Sequence, residues 1–103
     1  MKAFRVSYTV KQEYVETNKK NIKQVMSDLR ELNNPGIKYA SFQEDDGRTF
    51  MHFAMYPDEE TAQIIPELPS FKKFVSELKA SCPEILPKTS TLTVFDSAYD
   101  FFG

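Results

Sequence analysis

The run Thr49-Phe50-Met51-His52-Phe53-Ala54-Met55-Tyr56 limits the possible folds more than any other stretch of this chain, because it is apolar or aromatic on both sides apart from His52. Strand side chains alternate between two faces, and a strand with one wet face alternates apolar with polar residues. This one therefore needs cover on both. It follows Ile37-Lys38-Tyr39-Ala40-Ser41-Phe42-Gln43-Glu44 and the spacer Asp45-Asp46-Gly47-Arg48. An Asp-Gly pair between two strand-like runs predicts a hairpin, since a type I′ turn needs positive φ that Asp tolerates and Gly supplies. With Asp46-Gly47 as a two-residue loop, Asp45 faces Arg48, Gln43 faces Phe50, Phe42 faces Met51, Ser41 faces His52 and Ala40 faces Phe53. One face then carries Lys38, Ala40, Phe42, Met51, Phe53 and Met55. The other carries Ile37, Tyr39, Ser41, Gln43, Phe50, His52, Ala54 and Tyr56. The Phe/Met face is expected to pack on the chain's own helices, which leaves the His52 face for a second subunit, a ligand or both.

Around the hairpin the period of the apolar residues changes twice. Phe4, Val6, Tyr8 and Val10 alternate with Arg5, Ser7 and Thr9, the pattern of a half-buried strand. Ile22, Val25, Met26, Leu29 and Leu32 fall at helical spacing from about Val15, and Asn33-Asn34-Pro35-Gly36 stops that helix. After the hairpin, Asp58 is placed to cap a short helix that Pro66 and Pro69 interrupt. A second helix runs from about Ser70 to Ser81 with Phe71, Phe74, Val75 and Leu78 on one face. Thr89 to Phe95, β-branched and aromatic, reads as the last strand. The order strand, helix, strand, strand, helix, strand predicts a single α+β domain over residues 1–103: ferredoxin-like βαββαβ, a four-stranded antiparallel sheet with both helices on one face.

Composition narrows the function classes. A net charge of −2 and a pI near 5.4 give no electrostatic footprint for nucleic acid or an anionic membrane. The Lys19, Lys20 and Lys23 cluster shares its helix with Glu13, Glu16 and Asp28 and reads as a solvated face. No apolar run is long enough for a membrane span, and no signal-peptide core follows Met1, so the expected location is cytoplasmic. The single cysteine, Cys82, cannot form an internal disulfide and has no neighbouring thiol or histidine with metal-ligand spacing. No phosphate loop or Ser/His/Asp grouping is present, and the expected cofactor set is none.

Five segments carry a resemblance to a known family: Tyr8-Thr9-Val10-Lys11, Asn21-Ile22 with Asp28-Leu29-Arg30, Asn34-Pro35-Gly36-Ile37-Lys38-Tyr39, Asp46-Gly47-Arg48-Thr49-Phe50-Met51-His52, and Ser70-Phe71-Lys72-Lys73-Phe74. In these the chain resembles the antibiotic biosynthesis monooxygenase-like family of the dimeric α+β barrel superfamily, over nearly its whole length. The resemblance implies a homodimer whose two sheets form a barrel. It also implies a ligand space between the sheet and helices or at the sheet interface. Family activities include oxygenation of quinol-like or polyketide-like aromatics without a cofactor, and haem degradation. The absence of Trp argues against the second.

The His52 face gathers Tyr39, Ser41, Gln43, His52 and Tyr56 among Ile37, Phe50 and Ala54, with Arg5, Ser7 and Thr9 of the first strand as possible additions. That is the composition of an apolar ligand pocket with a few convergent polar groups. His52, whose ordinary pKa lies near neutrality, is the candidate general base. Arg5, Tyr39, Ser41, Gln43, Phe50 and Tyr56 are the candidate substrate-binding residues. The expected function is a homodimer binding a small apolar or aromatic oxygenated molecule, with a cofactor-independent monooxygenase as its catalytic form. The competing expectation is a non-catalytic ligand- or partner-binding module with a packed lumen.

Overall fold

In the computed structural model, which describes residues 2–99, the elements run β1 (Lys2–Thr9), a 3₁₀ turn (Gln12–Tyr14), α1 (Val15–Leu32), β2 (Lys38–Gln43), β3 (Thr49–Tyr56), α2 (Glu59–Ala62), α3 (Ile64–Glu67), α4 (Pro69–Ala80) and β4 (Ile85–Leu92). The strands pair antiparallel in the order β2-β3-β1-β4, and the helices lie on one face, which is the ferredoxin-like arrangement. None of the described helices is long and apolar enough to cross a membrane.

Local chemistry explains the helix boundaries. The α1 helix buries Val15, Asn18, Asn21, Ile22 and Val25, and it ends at Asn33 in the left-handed conformation (φ 50°) that asparagine tolerates. Asp58 accepts from the Thr61 N–H at 2.8 Å and opens α2. Pro69 occupies the first turn of α4, where its missing N–H is no loss. That helix buries Phe74 and Leu78 against Tyr8, Phe50 and the apolar stripe of α1.

The hairpin register is the expected one, with Gln43 opposite Phe50, Ser41 opposite His52 and Ala40 opposite Phe53. Its loop is longer than a two-residue turn. The Glu44 N–H donates to the Thr49 carbonyl, the Gly47 N–H donates to the Glu44 carbonyl, and Gly47 takes the left-handed conformation (φ +75°). The Asp46 carboxylate accepts from the Arg48 N–H (2.9 Å), the Thr49 N–H (2.8 Å) and the Thr49 hydroxyl (2.6 Å), which closes the loop from within. Those donors hold the Asp46 carboxyl below its usual range.

The two faces of the hairpin are exchanged relative to the sequence reading. Phe50, His52, Ala54 and Tyr56 are the residues buried beneath the helices, with Val15, Ile22, Val25, Ile65, Phe74 and Leu78 as their surroundings. The Phe/Met face is the one turned away from the helices; Phe42 on it is 52% exposed, while Met55 at its other end is buried. The cause lies in the central strand β1. Antiparallel partners share a face, and Phe4, Val6 and Tyr8 pair with Ala54, His52 and Phe50. The Phe4–Val6–Tyr8 side of β1 goes under the helices and takes His52 with it, while Arg5 and Ser7 go to the other face opposite Phe53 and Met51. Strand β4 also starts earlier than expected, at Ile85, and ends at Leu92. It is an edge strand, so Pro87 is tolerated, and the register shifts where it lies: Ser7 pairs with Lys88 and Thr9 with Ile85.

Candidate functional site

His52 is fixed by the middle of β3, 4% exposed, and both of its ring nitrogens are engaged. Nε2 lies 2.8 Å from the Tyr8 hydroxyl on the neighbouring β1, and Nδ1 lies 2.9 Å from the Tyr39 hydroxyl on β2. Behind Tyr8, the Asn18 side chain of α1 donates from Nδ2 to the Tyr8 oxygen at 3.0 Å. Four side chains from three strands and a helix thus form one continuous hydrogen-bonded chain: Asn18, Tyr8, His52, Tyr39. Aromatic rings pack around it. Tyr8 stacks on His52 at 5.4 Å and on Phe50 at 5.9 Å, and Phe74 of α4 stands 5.4 Å from the imidazole.

Burial dominates the electrostatics. Loss of solvation disfavours the imidazolium and lowers the His52 pKa to about 4, so the ring is neutral at pH 7. The same loss pushes the Tyr8 and Tyr39 hydroxyls well above the usual phenol range, and Tyr56 moves in the same direction. No member of the chain carries charge near neutrality, and what it offers a ligand is aligned hydrogen bonding in a low-dielectric setting.

A cavity of about 300 Å³ opens beside this chain between the sheet and α2, α3 and the start of α4. Tyr39 and His52 reach its wall, with Phe4, Val6, Ala54, Tyr56, Ile65, Phe71 and Thr89 as the mainly apolar remainder and Glu59 and Gln63 from α2 and its end. Among the candidate residues, the cavity therefore unites His52, Tyr39 and Tyr56. Phe50 is 2% exposed in the core, stacked on Tyr8, and does not line the cavity. Ser41 and Gln43 lie on His52's side of β2 but toward the turn, where Gln43 donates to the Gly47 carbonyl at 2.9 Å. Arg5 stands on the opposite face of the sheet, because it pairs with Phe53 and Ser90. The helix-packing role expected of Phe42, Met51, Phe53 and Met55 falls for the same reason.

Two members of the chain were not singled out from the sequence. Tyr8 read as one more apolar strand residue. Asn18 stood among polar neighbours on α1, yet its spacing from Val15, Ile22 and Val25 puts it in the buried stripe, and an amide at such a position signals a partnered polar group. A second hollow, about 570 Å³, lies on the open side of the sheet between Ala3, Phe53 and Leu92 and the segment 93–99 that follows β4. Among the described residues, no group of three or more His, Cys, Asp or Glu is placed to hold a metal ion.

No protein-family model and no curated protein matches the chain. Solved structures do. An antibiotic biosynthesis monooxygenase superposes with a TM-score of 0.77 at 13% identity, covering 93% of this chain and 100% of that one. SnoaB, a cofactor-independent oxygenase from Streptomyces nogalater, gives 0.70 at 14%, covering 94% and 95%. A conserved protein from Methanosarcina mazei Go1 gives 0.70 at 21%, covering 89% and 92%. The fold is therefore antibiotic biosynthesis monooxygenase-like.

Proposed function

We propose that this protein binds a flat, apolar, oxygen-bearing molecule between its sheet and helices, and that it promotes oxygenation of such a molecule by dioxygen without a bound cofactor. The observation that carries this reading is the Asn18–Tyr8–His52–Tyr39 chain ending at the wall of an otherwise apolar cavity. Aligned polar groups in an apolar pocket act on a ligand's oxygen rather than on its bulk. A phenol or enol seated there would rest its oxygen against Tyr39, and stabilising the anion raises the electron density available to dioxygen. For a methylene flanked by aromatic rings the balance is one substrate and one dioxygen to one ketone and one water. The first carbon proton passes to solvent water, its electron pair forms the bond to dioxygen, the resulting peroxide takes a proton back from solvent, and loss of the second carbon proton as the O–O bond breaks gives the ketone and releases water. His52 enters this reading behind Tyr39, holding it in place, and not as a free-standing base, since its nitrogens are both engaged and its pKa is depressed. The same low exposure favours a second reading, a binding module that performs no reaction.

An oxygen electrode separates the two. With anthrone as probe, the oxygenase reading expects protein-dependent oxygen uptake with one anthraquinone formed per dioxygen. Anthrone bound without uptake above the uncatalysed rate would leave only the binding module.

The open sheet face supports a homodimer as part of this proposal. Ala40, Phe42, Met51 and Phe53 line it, and beyond β4 Phe95 and Tyr99 are 99% and 87% exposed. An apolar sheet face with loose aromatics beside it is the kind of surface that a second copy covers. Three aromatics in the last six residues, Tyr99, Phe101 and Phe102, are expected from the sequence to dock on a partner subunit; Phe101 and Phe102 lie outside the described residues. Each aromatic buried across an interface contributes on the order of 2 kcal/mol. Deleting residues from Tyr99 onward should shift the dimer–monomer equilibrium toward monomer in sedimentation velocity, and a full-length chain that is monomeric at micromolar concentration would remove the dimer from the account.

A further inference from the structure

We propose that Asn18 is a positioning residue that sets the direction of the buried hydrogen-bonded chain, so that Tyr39 presents its hydroxyl proton to the cavity and the site selects ligands through a hydrogen-bond acceptor, a carbonyl or an ionised phenol or enol. This rests on the reading of the cavity as a ligand site.

The direction of the chain follows from counting its protons. Asn18 is fully buried, and its Nδ2 donates to the Tyr8 oxygen at 3.0 Å. Tyr8 is itself 1% exposed, and its hydroxyl has one proton to place. With a donor on one side, the acceptor within reach is His52 Nε2 at 2.8 Å. Nε2 must then be the unprotonated nitrogen of the neutral ring, and Nδ1 carries the hydrogen. Nδ1–H donates to the Tyr39 oxygen at 2.9 Å, and the Tyr39 proton is left for whatever occupies the cavity that Tyr39 lines. The opposite direction would give Tyr8 two donors and leave its own buried proton without an acceptor, which costs roughly 1–3 kcal/mol. Turning the Asn18 amide over would let Oδ1 take the Tyr8 proton and would put Nδ2 where Oδ1 now stands without a hydrogen-bond partner. As it stands, Oδ1 is the Asn18 atom left without a partner, and an unpaired buried carbonyl oxygen is better tolerated than unpaired N–H groups.

The consequence for function is a donor site. With Nδ1 already protonated, His52 cannot draw a proton through Tyr39. A ligand oxygen that accepts is held, and one that can only donate meets another donor. Gln63 at the α2 side of the cavity is available to the ligand's other polar edge, while Glu59 beside it is ion-paired with Lys2 at 2.9 Å.

The test uses the whole protein and two readouts. Nitrogen-15 NMR of the ligand-free chain labelled at its single histidine should show Nδ1 with the pyrrole-type shift and Nε2 with the pyridine-type shift. Asn18→Asp, in which an ionised carboxylate can only accept, should reverse the two at pH 8. The reverse pattern in the wild type overturns the proposal without any variant, and an unchanged tautomer in a folded Asn18→Asp overturns the role of Asn18. For the ligand side, fluorenone, which differs from fluorene by one carbonyl acceptor, should bind at least about ten-fold more tightly, as one added hydrogen bond of typical strength allows. Tyr39→Phe should remove that margin and the red shift of the bound carbonyl stretch. Equal binding of the two probes overturns the acceptor preference. Binding of neither overturns the cavity reading beneath it, while the tautomer result stands or falls by itself.

Discussion

Tyr39→Phe is expected to lower oxygenation of a cavity-bound phenol or enol by roughly 10²- to 10³-fold, the loss that follows when one preorganised donor to a developing oxyanion is removed. The variant keeps the ring that packs against His52 and loses one hydroxyl, so the fold should tolerate it. The fall should appear in kcat more than in KM, because the contact strengthens as charge develops. The pH profile discriminates further. With His52 neutral down to about pH 4, the wild-type rate should show no inflection near 6.5 and should follow the ionisation of the substrate instead. A clear enzyme pKa between 6 and 7 would return His52 to the role of general base and remove the donor account of Tyr39.

The second large effect is on stability. His52→Ala removes the centre of the chain, leaves the Tyr8 and Tyr39 hydroxyls without their partner and opens a hole against Phe74, for a cost at pH 7 on the order of 3 kcal/mol. That cost should shrink in acid. The folded pKa of His52 is about 4 and its ordinary value 6.5, so between these values the unfolded chain binds more protons than the folded one. Stability contributed by the neutral ring is complete above about pH 6.5 and is lost as pH falls toward 4, by about 3 kcal/mol for a shift of this size. Asp46 and Asp58, whose carboxyls are held below their usual range, lose their contributions at lower pH still, and they do so in both proteins. Urea titrations of wild type and His52→Ala from pH 7 to 4 should therefore converge. Parallel curves would mean that His52 titrates alike in both states.

The architecture was legible because it rests on strong local signals: the alternation of β1, the helical stripe from Val15 to Leu32, the Asp-Gly loop and the proline stops. The hairpin register followed from the same signals, even though Asp46 closes a longer loop than a two-residue turn. Which face of the hairpin meets the helices was not legible within the hairpin. Its two faces are almost equally apolar, and the choice is made by the neighbouring strand, where Phe4, Val6 and Tyr8 must share a side with Ala54, His52 and Phe50. That exchange moved His52 from an expected lumen to the interior between sheet and helices, and it sent Arg5 to the other side. It also explains why the site was only half visible. Tyr39, His52 and Tyr56 could be collected along one face of two adjacent strands, whereas Tyr8 and Asn18 join through tertiary contacts 44 and 10 residues apart in sequence.

A crystal structure of the protein soaked with fluorenone would show directly where an acceptor ligand binds. The probe is expected between the sheet and helices α2 to α4, with its carbonyl oxygen within hydrogen-bonding distance of the Tyr39 hydroxyl and the Asn18–Tyr8–His52–Tyr39 chain intact. A probe seated instead on the open sheet face, among Phe53, Leu92 and the segment 93–99, would contradict it.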